Sequence, residues 1–295
     1  MKFSYISVLL FCTITFFSCH FANQEDYLDD PIEIYSIIKE DTITGIDVVT
    51  DGNNPMGIRS WIAQYEIPES SFESKRNTLY QILDSLMLLK YSENEDIYGR
   101  VDSLNYMAIH YMENLLKDKK SMYSPLKHRL LTVVTSPDKV LRIYSWNENN
   151  GTKFNTYLNV YQYLTKDKIL LTAFETESYA NKTDFMSGLP KNIYKLYSKT
   201  ENDYYLLNME GDISGDEHFK GSTILMITAD SLIFNYNGFY PNERYLSMTY
   251  SEREKINTSY NYKNGALTYT IKTIDGESDT IQYIFNGLQF ELKQD

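Results

Sequence analysis

Cysteine is almost absent from this chain. Of 295 residues only Cys12 and Cys19 are thiols, and both sit near the N-terminus. No cysteine follows residue 19, which excludes a disulfide framework and any cysteine-based metal site in the remainder. Histidine is nearly as scarce, with only His20, His110, His128 and His218. No two of them stand at a ligand spacing such as i, i+4, so no metal and no cofactor is expected. Basic charge is outweighed, with 28 Lys and Arg against 40 Asp and Glu and a formal charge of −12. Phosphate-tracking surfaces need dense clusters of cations, so nucleic acid is not an expected partner. The densest basic run, Lys117-Asp118-Lys119-Lys120, reads as the solvated end of a helix. No apolar run is long enough to cross a bilayer as a helix: Phe3 to Phe17 covers about 15 residues against the ~20 required.

That apolar run nevertheless has a context. Met1-Lys2 supplies a positive charge, Phe3–Phe17 carries none, and Ser18-Cys19 follows. This is the layout of a secretory signal. A cysteine at the cleavage point resembles the lipobox of bacterial lipoproteins, in its looser Bacteroidetes form with Phe16 and Phe17 before the small residue. The resemblance implies a signal peptide over 1–18, a lipidated Cys19 and anchorage in the outer membrane, on the periplasmic side or at the cell surface. Plain secretion and an uncleaved anchor are the alternatives. Residues 19–33 are polar and acidic (Glu25, Asp26, Asp29, Asp30) and read as a flexible tether or as a surface-export signal.

Residues 34–125 are expected to be mainly helical. Ser70 and Glu73 stand at capping-box spacing, followed by Leu79, Ile82, Leu83, Leu86 and Leu89 on one helical stripe. A second helix is expected to start at Asp102-Ser103, carrying Leu104, Met107, Ala108, Tyr111 and Leu115. Ser92 to Arg100 would connect the two, and Ile32–Ile38 would form a shorter helix. Residues 126–295 change period from 3.6 to 2. Strands are expected over 141–146, 157–163, 169–174, 193–197, 204–209, 223–227, 232–236 and 245–250. Asn264-Gly265, Asp275-Gly276 and Asn286-Gly287 mark tight hairpins. No helix-length crossover separates the strands, so the pairing is antiparallel. The fold class is therefore α+β: N-terminal amphipathic helices packed on a large antiparallel β-meander, as a curled sheet, a sandwich or a partly open barrel.

Tyrosine is the compositional excess, with 27 residues beside 14 Phe. It suits a half-buried pleated surface, and alternatively an aromatic platform for glycans or peptides. Thr135-Ser136-Pro137-Asp138, the strand Leu141-Arg142-Ile143-Tyr144-Ser145-Trp146, Gly151-Thr152 and Val160–Tyr163 together resemble a family of uncharacterised Bacteroidetes lipoproteins. That resemblance implies no activity. Arg142, Tyr144 and Trp146 share one strand face and are the candidate binding or structural residues, Arg142 and Trp146 as a cation–π pair. The stretch Gly211–His218 reads as a solvated polar loop, with calcium as the lesser alternative because the EF-hand pattern is missing. No nucleophile elbow, serine–lysine pair or phosphate loop is present, and no catalytic residue is assigned. The expectation is a membrane-anchored envelope lipoprotein that binds or scaffolds, its partners a glycan, a peptide or another lipoprotein. A hydrolase with a carboxylate-based site is the alternative.

Overall fold

Two stretches of helical periodicity open the described part of the molecule. The computed structural model describes residues 67, 69–89, 97–149, 155–165, 168–174, 188–213, 216–234 and 236–293. All of them belong to one compact unit, Thr50–Asp295. The expected lipid site Cys19, His20, the tether and the Ile32–Ile38 helix lie outside the described residues.

Helix α1 (Phe72–Leu89) buries Leu79, Ile82, Leu83, Leu86 and Leu89, the stripe its spacing predicts. Its cap differs from expectation by one residue. Ser71 Oγ accepts the Ser74 N–H at 3.1 Å, while Glu73 turns to Arg76 at 2.6 Å. Helix α2 (Ile97–Leu116) begins five residues before the expected Asp102. Gly99 is thus inside the helix, where sequence placed a connection. Helix α3 (Lys119–Tyr123) is one short turn capped by Asp118, whose Oδ1 accepts Lys120 N–H at 2.8 Å.

Thirteen strands follow among the described residues, all antiparallel to their sheet neighbours. A first sheet holds β1 (Thr132–Thr135), β2 (Leu141–Asn147), β3 (Tyr157–Leu164) and β4 (Ile169–Phe174) in that order. The central sheet runs β5 (Leu189–Leu196), β6 (Asp203–Asp212), β7 (Glu217–Ile227) and β8 (Leu232–Ile233), with β9 (Tyr245–Ser251) also on β7. A third sheet holds β10 (Lys255–Asn261), β11 (Ala266–Lys272), β12 (Ser278–Phe285) and β13 (Phe290–Leu292). The single meander expected from sequence is therefore three sheets, none closed into a barrel. Hairpin alternation fixes neighbours but not where a chain leaves one sheet for the next.

The central sheet serves two cores. Tyr205, Leu207, Met209, Leu225 and Ile227 pack with Leu141, Ile143, Tyr161 and Tyr163 of the first sheet. The alternating residues Tyr204, Leu206 and Ile224 pack with Ile256, Leu267, Tyr269 and Phe290 of the third. Successive side chains of β6 thus feed opposite layers, as period-2 geometry requires. The first sheet is covered again on its far side. Leu141 through Trp146 are all buried, and the helical segments hydrogen-bond to that far face.

The three Gly-containing turns take positive φ at glycine: +66° at Gly265, +82° at Gly276 and +102° at Gly287. The preceding Asn264, Asp275 and Asn286 are not positive. Glycine alone therefore supplies the left-handed residue in each of the three expected hairpin turns. Asn264 and Asn286 work through their side chains instead, accepting the N–H of Ala266 at 3.2 Å and of Leu288 at 2.9 Å.

Candidate aromatic binding surface

The residues singled out by sequence are interior ones. Arg142 is 3 % exposed. Its Nη1 donates to Ser121 O at 2.8 Å, Nη2 to Met122 O at 3.0 Å and Nε to Thr135 Oγ1 at 3.1 Å. Trp146 donates its indole N–H to Asn105 Oδ1 at 2.9 Å. Gln162 joins from β3, donating to Leu116 O and Ser121 Oγ. Tyr144 is fully buried beside Arg142, and burial raises its phenol above the ordinary value despite the guanidinium. Arg142 and Trp146 do share a face, but each is engaged by a helical segment and not by the other. The row fastens α2 and α3 to the first sheet.

The Ser136-Pro137-Asp138 turn also reaches further than turn chemistry. Ser136 Oγ donates to Asp138 Oδ1 at 2.6 Å and accepts Leu141 N–H at 2.9 Å. The other carboxylate oxygen, Oδ2, accepts from Tyr205 at 2.9 Å and from Lys195 at 2.7 Å. Burial alone would raise the Asp138 pKa, but the bonds from Lys195, Ser136, Tyr205 and Val140 N–H hold it below the usual carboxylate range. Asp138 pins the first hairpin to the central sheet.

His218 is no loop residue. It lies in β7 directly opposite Asp212 of β6, and Nδ1 contacts Asp212 Oδ1 at 2.7 Å. Asp212 Oδ2 accepts from Asn155 Nδ2 at 2.7 Å, while Glu210 pairs with Lys191 at 2.5 Å and Lys220 at 3.5 Å. Burial pushes the Asp212 carboxyl up, but His218 and Asn155 hold it lower overall. Each acid here already has its cations and donors. Among the described residues no three His, Cys, Asp or Glu side chains converge as a metal site. His110 is half-buried on α2. His128, beside Asp84 at 3.3 Å, borders an open groove of about 340 Å³ lined by Pro125–His128, Leu131, Val133 and Thr135. No carboxylate lines it.

The aromatic excess converges elsewhere. Tyr194 of β5, at the edge of the central sheet, lies 5.4 Å from Tyr260 of β10, at the edge of the third. Tyr262, just beyond β10, stands 5.8 Å from Tyr194 and 5.2 Å from Tyr260. The ring planes meet at 51°, 65° and 79°, the tilted and edge-on arrangements aromatic quadrupoles favour. The inner side of the cluster rests on Phe290, 6.1 Å from Tyr260. Its outer members are open: Tyr262 is 44 % exposed and Tyr197, which follows β5, is 78 % exposed. Burial, then Tyr262 and Tyr197, push the Tyr260 phenol up to about 12. Burial, then Tyr194, Tyr197 and Asp138, also raise Tyr262. Both phenols are therefore hydrogen-bond donors throughout the neutral range.

Sequence reasoning missed this cluster because its members come from two distant segments. Its one signal was the count of tyrosines. Among the described residues β10 pairs only with β11, so no strand covers its other side; Ile256 O of this strand accepts from Lys220 Nζ at 2.8 Å. The chain matches no protein-family model and no curated protein is similar to it.

Proposed function

We propose that the chain is a membrane-anchored envelope lipoprotein, lipidated at Cys19, whose β-rich domain binds an extended peptide segment of a partner protein. The observation that carries the binding reading is the Tyr194–Tyr260–Tyr262 cluster with exposed Tyr197, set beside the side of β10 that no described strand covers. Edge backbone supplies affinity by strand addition, and aromatic anchors supply specificity. The tilt of the rings favours a peptide over a sugar, because a pyranose face stacks best on one flat platform. Tyrosine is also the residue type that anchors interfaces at low entropic cost.

The test is selection from an immobilised library of random extended peptides, followed by titration of the selected peptide into the parent and the Tyr197→Ala/Tyr262→Ala variant. Loss of at least about tenfold in affinity with unchanged thermal stability is expected. Equal affinity in the variant, or selection of nothing, ends the peptide reading. A neutral hexasaccharide binding in its place would move the site to glycans. Cys19→Ser is expected to release the chain from salt-washed membrane fractions, and retention equal to the parent's would remove the anchor.

A carboxylate-based hydrolase is the second reading, supported by Glu210 and Asp212 standing together on β6 beside His218. It requires that Asp212→Asn abolish a measurable hydrolytic activity.

A further inference from the structure

One end of the helical layer gathers positive charge that the fold does not neutralise. The start of α1 adjoins the end of α2, since Lys75 Nζ donates to Asn114 Oδ1 at 2.8 Å. The chain leaving α2, residues 117–129, holds Lys117, Lys119, Lys120, Lys127 and Arg129 against Asp118 alone, in a protein of formal charge −12. Asp118 is committed to capping α3. Arg129 shares Asp84 with His128, at 2.9 and 3.3 Å. The four lysines are exposed, and among the described residues none has a carboxylate partner. Arg142 lies directly beneath α3, bonded to its carbonyls and likewise to no carboxylate, so its charge adds to the field above. Between the lysines stands Tyr123, 88 % exposed.

Complementing the carbonyl end of α2 accounts for Lys117 and Lys119 but not for Lys127 or for so exposed an aromatic ring. Lysines flanking a bare tyrosine are the pattern that seats a surface at a headgroup layer, with cations on phosphates and the ring at the interface. We infer that this end of the molecule docks on a bilayer surface bearing anionic phospholipid headgroups. Lys120 Nζ lies 6.0 Å from the Phe72 ring, so the start of α1 lies at this same face. Docking by charge does not rest on lipidation, and salt separates the two: a Debye length of about 10 Å at 0.1 M weakens the patch but leaves an acyl anchor in place.

The experiment uses the full chain carrying Cys19→Ser and two sets of vesicles, phosphatidylcholine alone and phosphatidylcholine mixed with phosphatidylglycerol. At low salt, partition onto the anionic vesicles should be at least about tenfold stronger, and molar salt should erase the difference. The Lys117→Gln/Lys119→Gln/Lys120→Gln/Lys127→Gln variant should lose the preference while keeping the parent's circular dichroism, as all four side chains are exposed. Equal partition onto both vesicles, or a preference that survives in the quadruple variant, overturns the inference. So does release by inorganic phosphate at matched ionic strength, which would reassign the patch to a soluble anion.

Discussion

Two aromatic groups in this molecule use the same residue types to opposite ends. In the Arg142–Tyr144–Trp146 row each polar atom is spent inward, on Ser121 and Met122 carbonyls, on Thr135 and on Asn105. In the Tyr194–Tyr260–Tyr262 cluster the rings support one another, and Tyr197 and Tyr262 face solvent. The first group lies between two layers, the second where two sheets end side by side. Position in the layer stack, not composition, decides whether a tyrosine holds the fold or offers a surface.

That contrast can be broken most severely at the row. Trp146→Ala is expected to cost about 3–5 kcal/mol, through the cavity and the stranded Asn105 carbonyl oxygen, read as a lowered urea midpoint. Arg142→Met should cost about 2–3 kcal/mol, because it strands the carbonyls of Ser121 and Met122 while filling most of the volume. A change below about 0.5 kcal/mol would show that these bonds do not fasten the helices.

The turn at Asp138 gives a smaller effect that depends on pH. Its carboxyl is held below the usual range when folded, so its contribution is complete above an unfolded pKa of about 3.9 and is lost as pH falls through the folded value. Asp138→Asn should lower stability by about 1–2 kcal/mol at neutral pH and flatten the acid side of the stability curve below about pH 4. A parallel curve would remove Asp138 from the acid response. Smallest of all, Tyr197→Ala should move stability by less than about 0.5 kcal/mol. A larger loss in a melting experiment would put Tyr197 with the structural residues and erase the comparison.

Local features were legible in the sequence to the extent that local rules create them. The stripe from Leu79 to Leu89 and the glycine turns at 265, 276 and 287 follow from period and backbone freedom. Helix α2 extends back to Ile97 because Gly99 within a helix costs less than the buried contacts of Val101 contribute. Membership of three sheets was hidden because alternation looks alike in each. One clue stood in β2 and β3, whose consecutive buried residues mark strands covered on both faces. The turn residues of Gly211–His218 predict a loop, yet the ladder continues to the Asp212–His218 pair. The tyrosine cluster requires Tyr194 of one sheet to meet Tyr260 of another, a long-range contact that no window of sequence contains.

The doubled duty of β6 has a consequence for how the molecule comes apart. Peeling away either outer sheet would leave every second side chain of that strand facing water, Tyr205 and Leu207 on one side or Tyr204 and Leu206 on the other. Neither outer layer can therefore melt at little cost while the other persists, and the three should give way in a single transition.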